Sequence, residues 1–385
     1  MASETGDYAA GMSETSVAID VGRFDPDPTR SFTLPSAMYV DPAVLDRERE
    51  RIFWRSWILV GHESEVAEAG AYVTADLCGQ PIFVIRSSDG VLRAFYNVCQ
   101  HRGHLLLEGR GVTGSRITCP YHAWAYDSTG ELRGARMSER MEGFDHADFS
   151  LPTVQTEVCS GFVFVNLDEA APPMGEVYPG LAEELDRLAF DDGPLGRVDR
   201  TVFEIAGNWK NVGDNLLECY HCHPAHPGFV DLIDMAGYRN ECHENWSVQS
   251  GPVNPDTAVY DTGTGAATFS SVFVWPNVSI GHLPGQRGRF VFQFFPTGPE
   301  QTEQTMTYYG PDGTRTVQEC GATDWFNTVL GPEDVALVEN AQRGLRSKGY
   351  DQGRFICIPD RPELSEHAVH HFHAMVVDAL DGSCD

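Results

Sequence analysis

The sequence predicts an α+β chain with two domains, and two observations support this prediction. Between about residues 51 and 165, short alternating runs such as 81–86 and 92–98 are separated by glycine turns, as at Ser88-Asp89-Gly90. This pattern is typical of a small antiparallel β domain. The chain has 385 residues, 42% of them hydrophobic, which is enough to bury two cores.

The second region mixes strands with helices. Strand-like runs, among them 271–280 and 289–295, accompany two predicted helices, around 208–226 and 332–346. These two runs lie between the helices in sequence. The second helix has an apolar stripe at helical spacing and begins after a Gly-Pro pair. This region is therefore expected to form a separate α+β domain.

Two further segments precede or connect these regions. Pro172-Pro173 and an acidic, helix-like stretch at 181–190 mark the exit from the first domain. Residues 1–50 carry few structural signals, and we expect them to form an N-terminal arm packing on the second domain. The predicted division is therefore 1–50, 51–165 and 166–385.

Two short cysteine-histidine pairs are the most informative motifs. Cys99 and His101 form the first pair, and Cys119 and His122 the second. Two cysteines on one iron and two histidines on the other are the ligands of a Rieske [2Fe-2S] cluster. The same residues could also bind zinc, but each half is mixed and lies in a loop rich in turn residues, which favours the cluster. The chain is therefore predicted to handle single electrons.

A second metal site is predicted in residues 208–227, a segment dense in carboxylates and imidazoles. Spacings of four and three place Asp214, Glu218 and His221 on one face of a predicted helix. Pro224 should end that helix and let His221 and His226 converge. Two histidines and one carboxylate form the facial triad of iron(II) oxygenases.

The carboxylate of this triad must come from elsewhere in the chain. Asp334 lies in the first turn of the predicted helix 332–346. Acidic residues at that position usually serve only the helix dipole, so spacing alone leaves Glu333 and Asp324 as alternatives.

The motifs resemble those of the Rieske non-haem iron oxygenase alpha subunits. The similar segments are 97–103 and 119–126 around the cysteines, and Asn208-Trp209-Lys210 followed by Glu218-Cys219-Tyr220-His221. Respiratory Rieske proteins carry an extra cysteine in each loop, which this chain lacks. The resemblance extends from Trp54 to Phe372 and implies a β Rieske domain followed by an antiparallel sheet wrapped on a long helix, the helix-grip or START-like fold.

The resemblance also implies roles for individual residues. Cys99, His101, Cys119 and His122 would hold the cluster. His221, His226 and Asp334 would hold the mononuclear iron, because the family has an aspartate at the head of a late helix followed by a glutamate and a glutamine, here Glu339 and Gln342. Glu218 would carry electrons between subunits of a homotrimer, or would orient a ligand histidine; both roles are compatible.

The glutamate at 218 makes the chain similar to oxygenases of quaternary ammonium compounds such as carnitine, glycine betaine and proline betaine. This implies O2-dependent hydroxylation or N-demethylation, with electrons from a separate flavin and iron-sulfur reductase that uses NAD(P)H. Ring hydroxylation or O-demethylation of an aromatic compound is the alternative, and a non-catalytic electron-transfer or redox-sensing protein is another. The aromatic residues considered for the substrate cavity are Tyr220, Phe229, Trp246, Phe273 and Trp275.

Composition limits the classes of partner that the chain can bind. The chain has 27 basic and 56 acidic residues, a formal net charge of −29, which repels nucleic acid and anionic membranes. No apolar run is long enough to span a membrane, and the first twenty residues are unlike a signal peptide, so we expect a cytoplasmic protein.

Two further clusters are expected to bind no metal. Cys219 and Cys222 should point apart on a helix rather than pair, and the histidines between 367 and 373 should pack and form hydrogen bonds. Ten cysteines indicate a reducing compartment rather than a disulfide scaffold.

Overall fold

The computed structural model describes residues 19–188, 193–263, 265–358 and 360–381. The first half of the chain forms a seven-stranded antiparallel sheet, in the order β1-β10-β9-β4-β3-β2-β5, and a three-stranded sheet, β6-β7-β8. The strands are β1 Ile58–His62, β2 Ala71–Asp76, β3 Pro81–Arg86, β4 Leu92–Tyr96, β5 Arg110–Val112, β6 Ile117–Thr118, β7 Ala125–Tyr126, β8 Leu132–Gly134, β9 Thr153–Cys159 and β10 Phe162–Asn166.

A second seven-stranded antiparallel sheet follows, in the order β11-β17-β16-β15-β14-β13-β12. Its strands are β11 Leu195–Ile205, β12 Arg239–Cys242, β13 Trp246–Pro252, β14 Thr268–Val274, β15 Val278–His282, β16 Arg289–Gly298 and β17 Gln301–Pro311. Every neighbouring pair is antiparallel, so one long meander connects β12 to β17.

Helices cover the second sheet and connect it to the N-terminal segment. They are α1 Pro42–Glu48, α2 Met174–Val177, α3 Leu181–Arg187, α4 Trp209–Leu216, α5 Cys222–Ala225, α6 Pro227–Leu232, α7 Val317–Trp325, α8 Gly331–Leu345 and α9 His367–Asp381. Phe372 of α9 packs against Trp209, Phe273 and Trp275, with ring centroids 5.6–5.9 Å apart. The sheet therefore curls over a C-terminal helix, and the predicted α+β class is confirmed.

The N-terminal segment contacts α4 through buried polar groups. Glu48 and Lys210, both fully buried, form an ion pair, and Trp209 Nε1 donates to Glu48 Oε2 at 2.7 Å. Tyr39 donates its hydroxyl to Asp214 at 2.8 Å. A buried charge is tolerated when it is paired and hydrogen-bonded, so these contacts fix α4 against the arm.

Two predicted elements are wrong in extent. The strand expected at 271–280 is two strands, because a turn at residues 275–277 reverses the chain between β14 and β15, which pair antiparallel. The helix expected at 208–226 ends at Leu216, so Asp214, Glu218 and His221 do not share a helical face. Asp214 instead accepts hydrogen bonds from Tyr39 and His373.

The helix predicted at 332–346 is α8, and the segment at 181–190 forms α3 up to Arg187, with its last residues outside the described ranges. The C-terminal histidines form hydrogen bonds as expected: His367 bonds to the Asn240 carbonyl and His370 to that of Asp25. No helix in the described ranges is both long and apolar enough to cross a membrane.

Candidate metal centres

The two cysteine-histidine loops have the same backbone hydrogen bonds. In the first, Cys99 N donates to His104 O at 2.9 Å and Gly103 N to Cys99 O at 3.0 Å. In the second, Cys119 N donates to Trp124 O at 2.8 Å and Ala123 N to Cys119 O at 3.0 Å. The fourth residue after each cysteine is left-handed, with φ of +69° at Gly103 and +59° at Ala123. The loops are therefore structural repeats that present one thiol and one imidazole each.

Their side chains converge. Both cysteines are buried, and the His101 and His122 rings meet edge to face with centroids 4.6 Å apart. His122 Nδ1 is buried and makes no hydrogen bond within the described chain. An orphaned buried imidazole nitrogen is costly unless it binds something. Two thiols buried in one cluster, and two imidazoles in contact of which one has a buried nitrogen without a partner, fit the ligand set of a Rieske cluster.

Tyr126 lies beneath the first loop. Its hydroxyl accepts the Gln100 N–H at 3.0 Å and lies 3.4 Å from Cys99 Sγ. Because the backbone bond occupies an oxygen lone pair, the hydroxyl proton is available to the sulfur. Burial raises the pKa of the Cys99 thiol, so a cluster-bound thiolate gains from this donor.

The second centre brings together His221, His226 and Asp334. The His226 Nε2 atom lies 3.1 Å from His221 Nε2 and 2.9 Å from Asp334 Oδ1, and the His221 Nε2 to Asp334 distance is 3.7 Å. One potential ligand atom from each residue lies within 4.8 Å of the others. His221 follows the turn after α4, His226 lies between α5 and α6, and Asp334 occupies the first turn of α8.

Two further carboxylates fix the outer nitrogens of the histidines. His221 Nδ1 donates to Glu218 Oε1 at 2.5 Å, while Glu218 Oε2 accepts the His221 N–H at 3.1 Å. His226 Nδ1 donates to Glu333 Oε2 at 2.8 Å. Each Nδ1 is thus occupied and each Nε2 faces the centre, the usual arrangement of metal-binding histidines. Glu333, left open as a ligand by the sequence, lies on the outer side of His226.

The electrostatics of the centre favour a cation. Burial alone would lower the pKa of His221, but hydrogen bonds to Asp334 and Glu218 outweigh it and raise the pKa to about 10. The pKa of Asp334 is lowered because its two imidazole neighbours outweigh the effect of burial. Four carboxylate oxygen contacts from Glu218, Glu333 and Asp334 surround the two imidazoles, so the site stabilises positive charge, and a bound metal ion would replace the proton on the inner nitrogens.

Helix α8 is anchored to the chain before α4. Gln342 Oε1 accepts from Asn208 N at 2.8 Å and from Asn211 Nδ2 at 2.7 Å. Glu339 Oε1 accepts from Ala206 N at 3.1 Å. These bonds explain why a glutamate and a glutamine follow the aspartate: they fix the helix carrying Asp334 beside the segment that leads to His221.

A cavity of about 660 Å³, including its open mouth, lies beside this centre. Its walls are mainly apolar, with a few polar groups from Asn215, Gln249 and Ser271 and carboxylates from Glu218 and Asp334. The aromatic part consists of five phenylalanines: Phe229, Phe269, Phe290, Phe292 and Phe326.

Of the five aromatic residues considered from the sequence, which did not distinguish among them, Phe229 lines this cavity. Tyr220 is 45% exposed, and Trp246 Nε1 donates to the Pro179 carbonyl. Phe273 and Trp275 pack against Phe372. Proximity along the sequence could not separate these cases, because the cavity is built by cross-strand neighbours.

The expectation for Cys219 and Cys222 was also wrong, because the two form a disulfide with Cα atoms 4.9 Å apart. The helix ends at Leu216, so these residues occupy a tight turn rather than consecutive positions of a helix.

Residues 56–150 match the Rieske [2Fe-2S] domain family, and residues 193–382 match the ring hydroxylating alpha subunit catalytic domain. The carnitine monooxygenase oxygenase subunit of Escherichia coli (strain K12) is 39% identical over 93% of this chain and 96% of its own length. The chain belongs to the Rieske non-haem iron oxygenases. Among these, choline monooxygenase of Spinacia oleracea is 30% identical over 94% of this chain and 81% of its own length.

Solved structures of Rieske oxygenases share this fold. A quaternary ammonium Rieske monooxygenase in complex with L-carnitine superposes with a TM-score of 0.84 at 38% identity, covering 92% of this chain and 97% of the other. Naphthalene 1,2-dioxygenase from Rhodococcus has a TM-score of 0.79 at 21% identity, covering 92% and 95%, which shows the common fold. This Rieske oxygenase is thus an oxidoreductase whose cofactors are a [2Fe-2S] cluster and a mononuclear iron, with electrons delivered by a separate reductase.

Proposed function

We propose that this chain is the terminal oxygenase of a monooxygenase that hydroxylates a small quaternary ammonium compound at a carbon bonded to nitrogen. The observation that carries the proposal is the phenylalanine-walled cavity that opens on the His221, His226 and Asp334 centre. Its described lining has no lysine or arginine and includes two carboxylates. The relatives named for carnitine and choline, both quaternary ammonium compounds, support the same substrate class.

A permanent cation without N–H groups can be held only by charge and by aromatic faces. Each cation-π contact contributes about 0.5–2 kcal/mol, and the cavity offers several rings. Asp334 and Glu218 add negative charge at its inner end. A trimethylammonium group is therefore expected to lie near the metal centre, with the rest of the molecule toward the mouth.

His221, His226 and Asp334 are proposed as the iron ligands, and Cys99, Cys119, His101 and His122 as the cluster ligands. The mononuclear iron, when bound, supplies O2 activation. Glu333 and Glu218 hold the two histidine rings in one orientation, and the apolar walls keep bulk water from the reacting carbon. Hydroxylation of an N-methyl carbon gives a carbinolamine, which releases formaldehyde; the net reaction is N-demethylation.

Glu218 is further proposed as the electron bridge between subunits of a homotrimer. Its carboxylate already contacts the ligand His221, so it can link that ligand to a cluster histidine of a neighbouring subunit. The His101 and His122 side chains remain partly exposed, as a contact with a neighbour requires. A solved quaternary ammonium Rieske monooxygenase is described as revealing inter-subunit electron transfer, which supports this assignment.

A substrate panel with a matched reductase tests the function. Choline, carnitine and glycine betaine should give substrate-dependent O2 uptake, whereas neutral isosteres and aromatic acids should not. Formaldehyde release identifies attack on a methyl carbon, and trimethylamine release identifies attack on the chain carbon. Turnover of the aromatic acids alone would contradict the proposal, and His221→Ala provides the inactive control.

A further inference from the structure

The Cys219 and Cys222 pair differs from every other described cysteine. These two are joined by a disulfide, and the other cysteines in the described ranges are free thiols. Two cysteines at this Cys-X-X-Cys spacing are typical of disulfide oxidoreductases, in which the dithiol and disulfide forms interconvert. Neither cysteine is a proposed ligand of either metal centre, so the presence of the pair requires a separate explanation.

The bond encloses a proposed iron ligand. It spans Tyr220 and His221, and Glu218 immediately precedes it. Within the turn, Cys222 N donates to Cys219 O at 3.0 Å, and Cys222 O accepts from His226 N at 2.8 Å. The disulfide therefore closes the turn that aims both histidines and the carboxylate that orients one of them.

Access to the pair is through the substrate cavity. Cys219 is 2% exposed and Cys222 5% exposed, and both line the cavity beside the metal centre. A small reagent inside the cavity can reach them, while a substrate filling the cavity would block the approach.

We propose that Cys219 and Cys222 are a reversible redox pair, oxidised by hydrogen peroxide within the cavity and reduced by a dithiol. The proposal rests on the proposed function, which places O2 chemistry in that cavity; hydrogen peroxide is the two-electron reduction product of O2. One thiol attacks a peroxide oxygen, the O–O bond breaks, and a sulfenic acid and one water form. The second thiol then displaces the hydroxyl as water, so two thiols and one peroxide give a disulfide and two waters.

Reduction returns two electrons and two protons from the dithiol, which itself becomes a disulfide. The disulfide state holds the turn closed, with Glu218 bonded to His221 as in the structure. The dithiol state frees the turn, so iron is held less firmly. The redox state of the cysteine pair thereby determines how firmly the metal is held.

Peptide mapping of the complete iron-loaded protein tests the redox step without reductase or turnover. Trypsin cleavage after Lys210 and Arg239 gives a peptide, 211–239, that contains Cys219 and Cys222 and no other cysteine. The next peptide, 240–287, contains the exposed Cys242 as an internal control.

After anaerobic treatment with dithiothreitol and removal of the reagent, a first sample is alkylated, and both cysteines of peptide 211–239 should carry the label. A second, unlabelled sample receives one equivalent of hydrogen peroxide before alkylation; its peptide 211–239 should contain the disulfide, while Cys242 should still be labelled. Added choline should slow both reduction and reoxidation. A disulfide that resists dithiothreitol in the folded protein, or thiols that peroxide leaves unpaired, would overturn the proposal.

Iron retention tests the consequence. Dithiol-treated protein and the Cys219→Ser, Cys222→Ser double variant should lose iron to a chelator about tenfold faster than the disulfide form, the scale typical of supporting groups around a metal. Cys242→Ser should match the wild type, and the Rieske spectrum verifies folding. Equal extraction rates in all forms would refute the restraining role. Because neither readout needs turnover, a chain that oxidises no quaternary ammonium compound would still give a clear result here.

Discussion

The two metal centres of this chain are built in different ways. The proposed cluster ligands come from two loops with the same internal hydrogen bonds, separated by a short stretch of the same small domain. The proposed mononuclear ligands come from the turns around α5 and from α8, more than a hundred residues apart in sequence. The first centre depends on local backbone geometry. The second depends on how the helices and the sheet pack, and on carboxylates that hold its ligands.

Asp334→Ala should break the second centre and leave the first intact. Removing the only carboxylate of the three-residue group leaves two imidazoles, which hold iron(II) poorly. Product formation should fall below detection while the Rieske absorbance and EPR signal stay at wild-type intensity. Cys119→Ala should instead lose both the cluster signal and activity. Wild-type turnover by Asp334→Ala would refute the ligand assignment.

Glu333→Gln should weaken the second centre without removing a ligand. The amide no longer balances the charge on His226 Nδ1–H, so iron affinity should fall about 10–100-fold. Glu339→Gln is the matched control on the same helix, because its amide oxygen can still accept from Ala206 N. Chelator competition measures both affinities, and an equal loss in the two variants would mean that helix docking, rather than His226 orientation, is responsible.

Tyr126→Phe should affect the first centre alone. Removal of a hydrogen bond to a cluster thiolate destabilises the reduced, more negative state. A bond of about 1 kcal/mol corresponds to a decrease of about 40 mV in reduction potential for one electron. An EPR-monitored redox titration measures the shift, and Tyr178→Phe, whose hydroxyl bonds the Trp275 carbonyl far from the loops, should leave the potential unchanged. An unchanged potential in Tyr126→Phe would show that the proton does not point to Cys99.

The smallest expected effect is on the unfolding free energy of variants in the two cysteine-histidine loops. Gly103→Ala adds a Cβ with no atom within 4 Å, so its cost is purely that of a left-handed backbone, about 1 kcal/mol of unfolding free energy. Ala123→Gly relieves the same strain in the second loop and should be neutral or slightly stabilising. Urea unfolding of both variants gives the comparison. A destabilised Ala123→Gly and an unaffected Gly103→Ala would contradict the equivalence of the loops.

Sequence motifs predicted the candidate ligands but not their surroundings. The two members of each cysteine-histidine pair, and likewise His221 and His226, are close in sequence, so spacing and resemblance pointed to them, and the structure brings His221 and His226 together with Asp334. The predicted helix was longer than α4 because the helical spacing of polar residues continues past Leu216. In the structure the chain leaves the helix there, and Glu218 accepts the His221 N–H in the turn that follows.

The residues that line the cavity could not be predicted without the strand register. Phe290 pairs with Gly281 and Phe292 with Ser279, and Met306 faces Phe292 on the next strand. These neighbours are defined by strand pairing that a single sequence does not specify. The signal that could have found them is the alternation in β14 and β16, where Phe269 and Ser271, and Phe290 and Phe292, fall on one face of the sheet.

Mixed oligomers test most directly whether electrons pass from the cluster of one subunit to the iron of another. Cys119→Ala lacks the cluster and His221→Ala lacks the mononuclear iron, so each should be inactive alone. Differently tagged subunits purified together should regain substrate-dependent product formation, because the proposed homotrimer places an intact cluster beside the intact iron site of a neighbouring subunit. Co-purified oligomers that contain both variants and remain inactive would contradict this account.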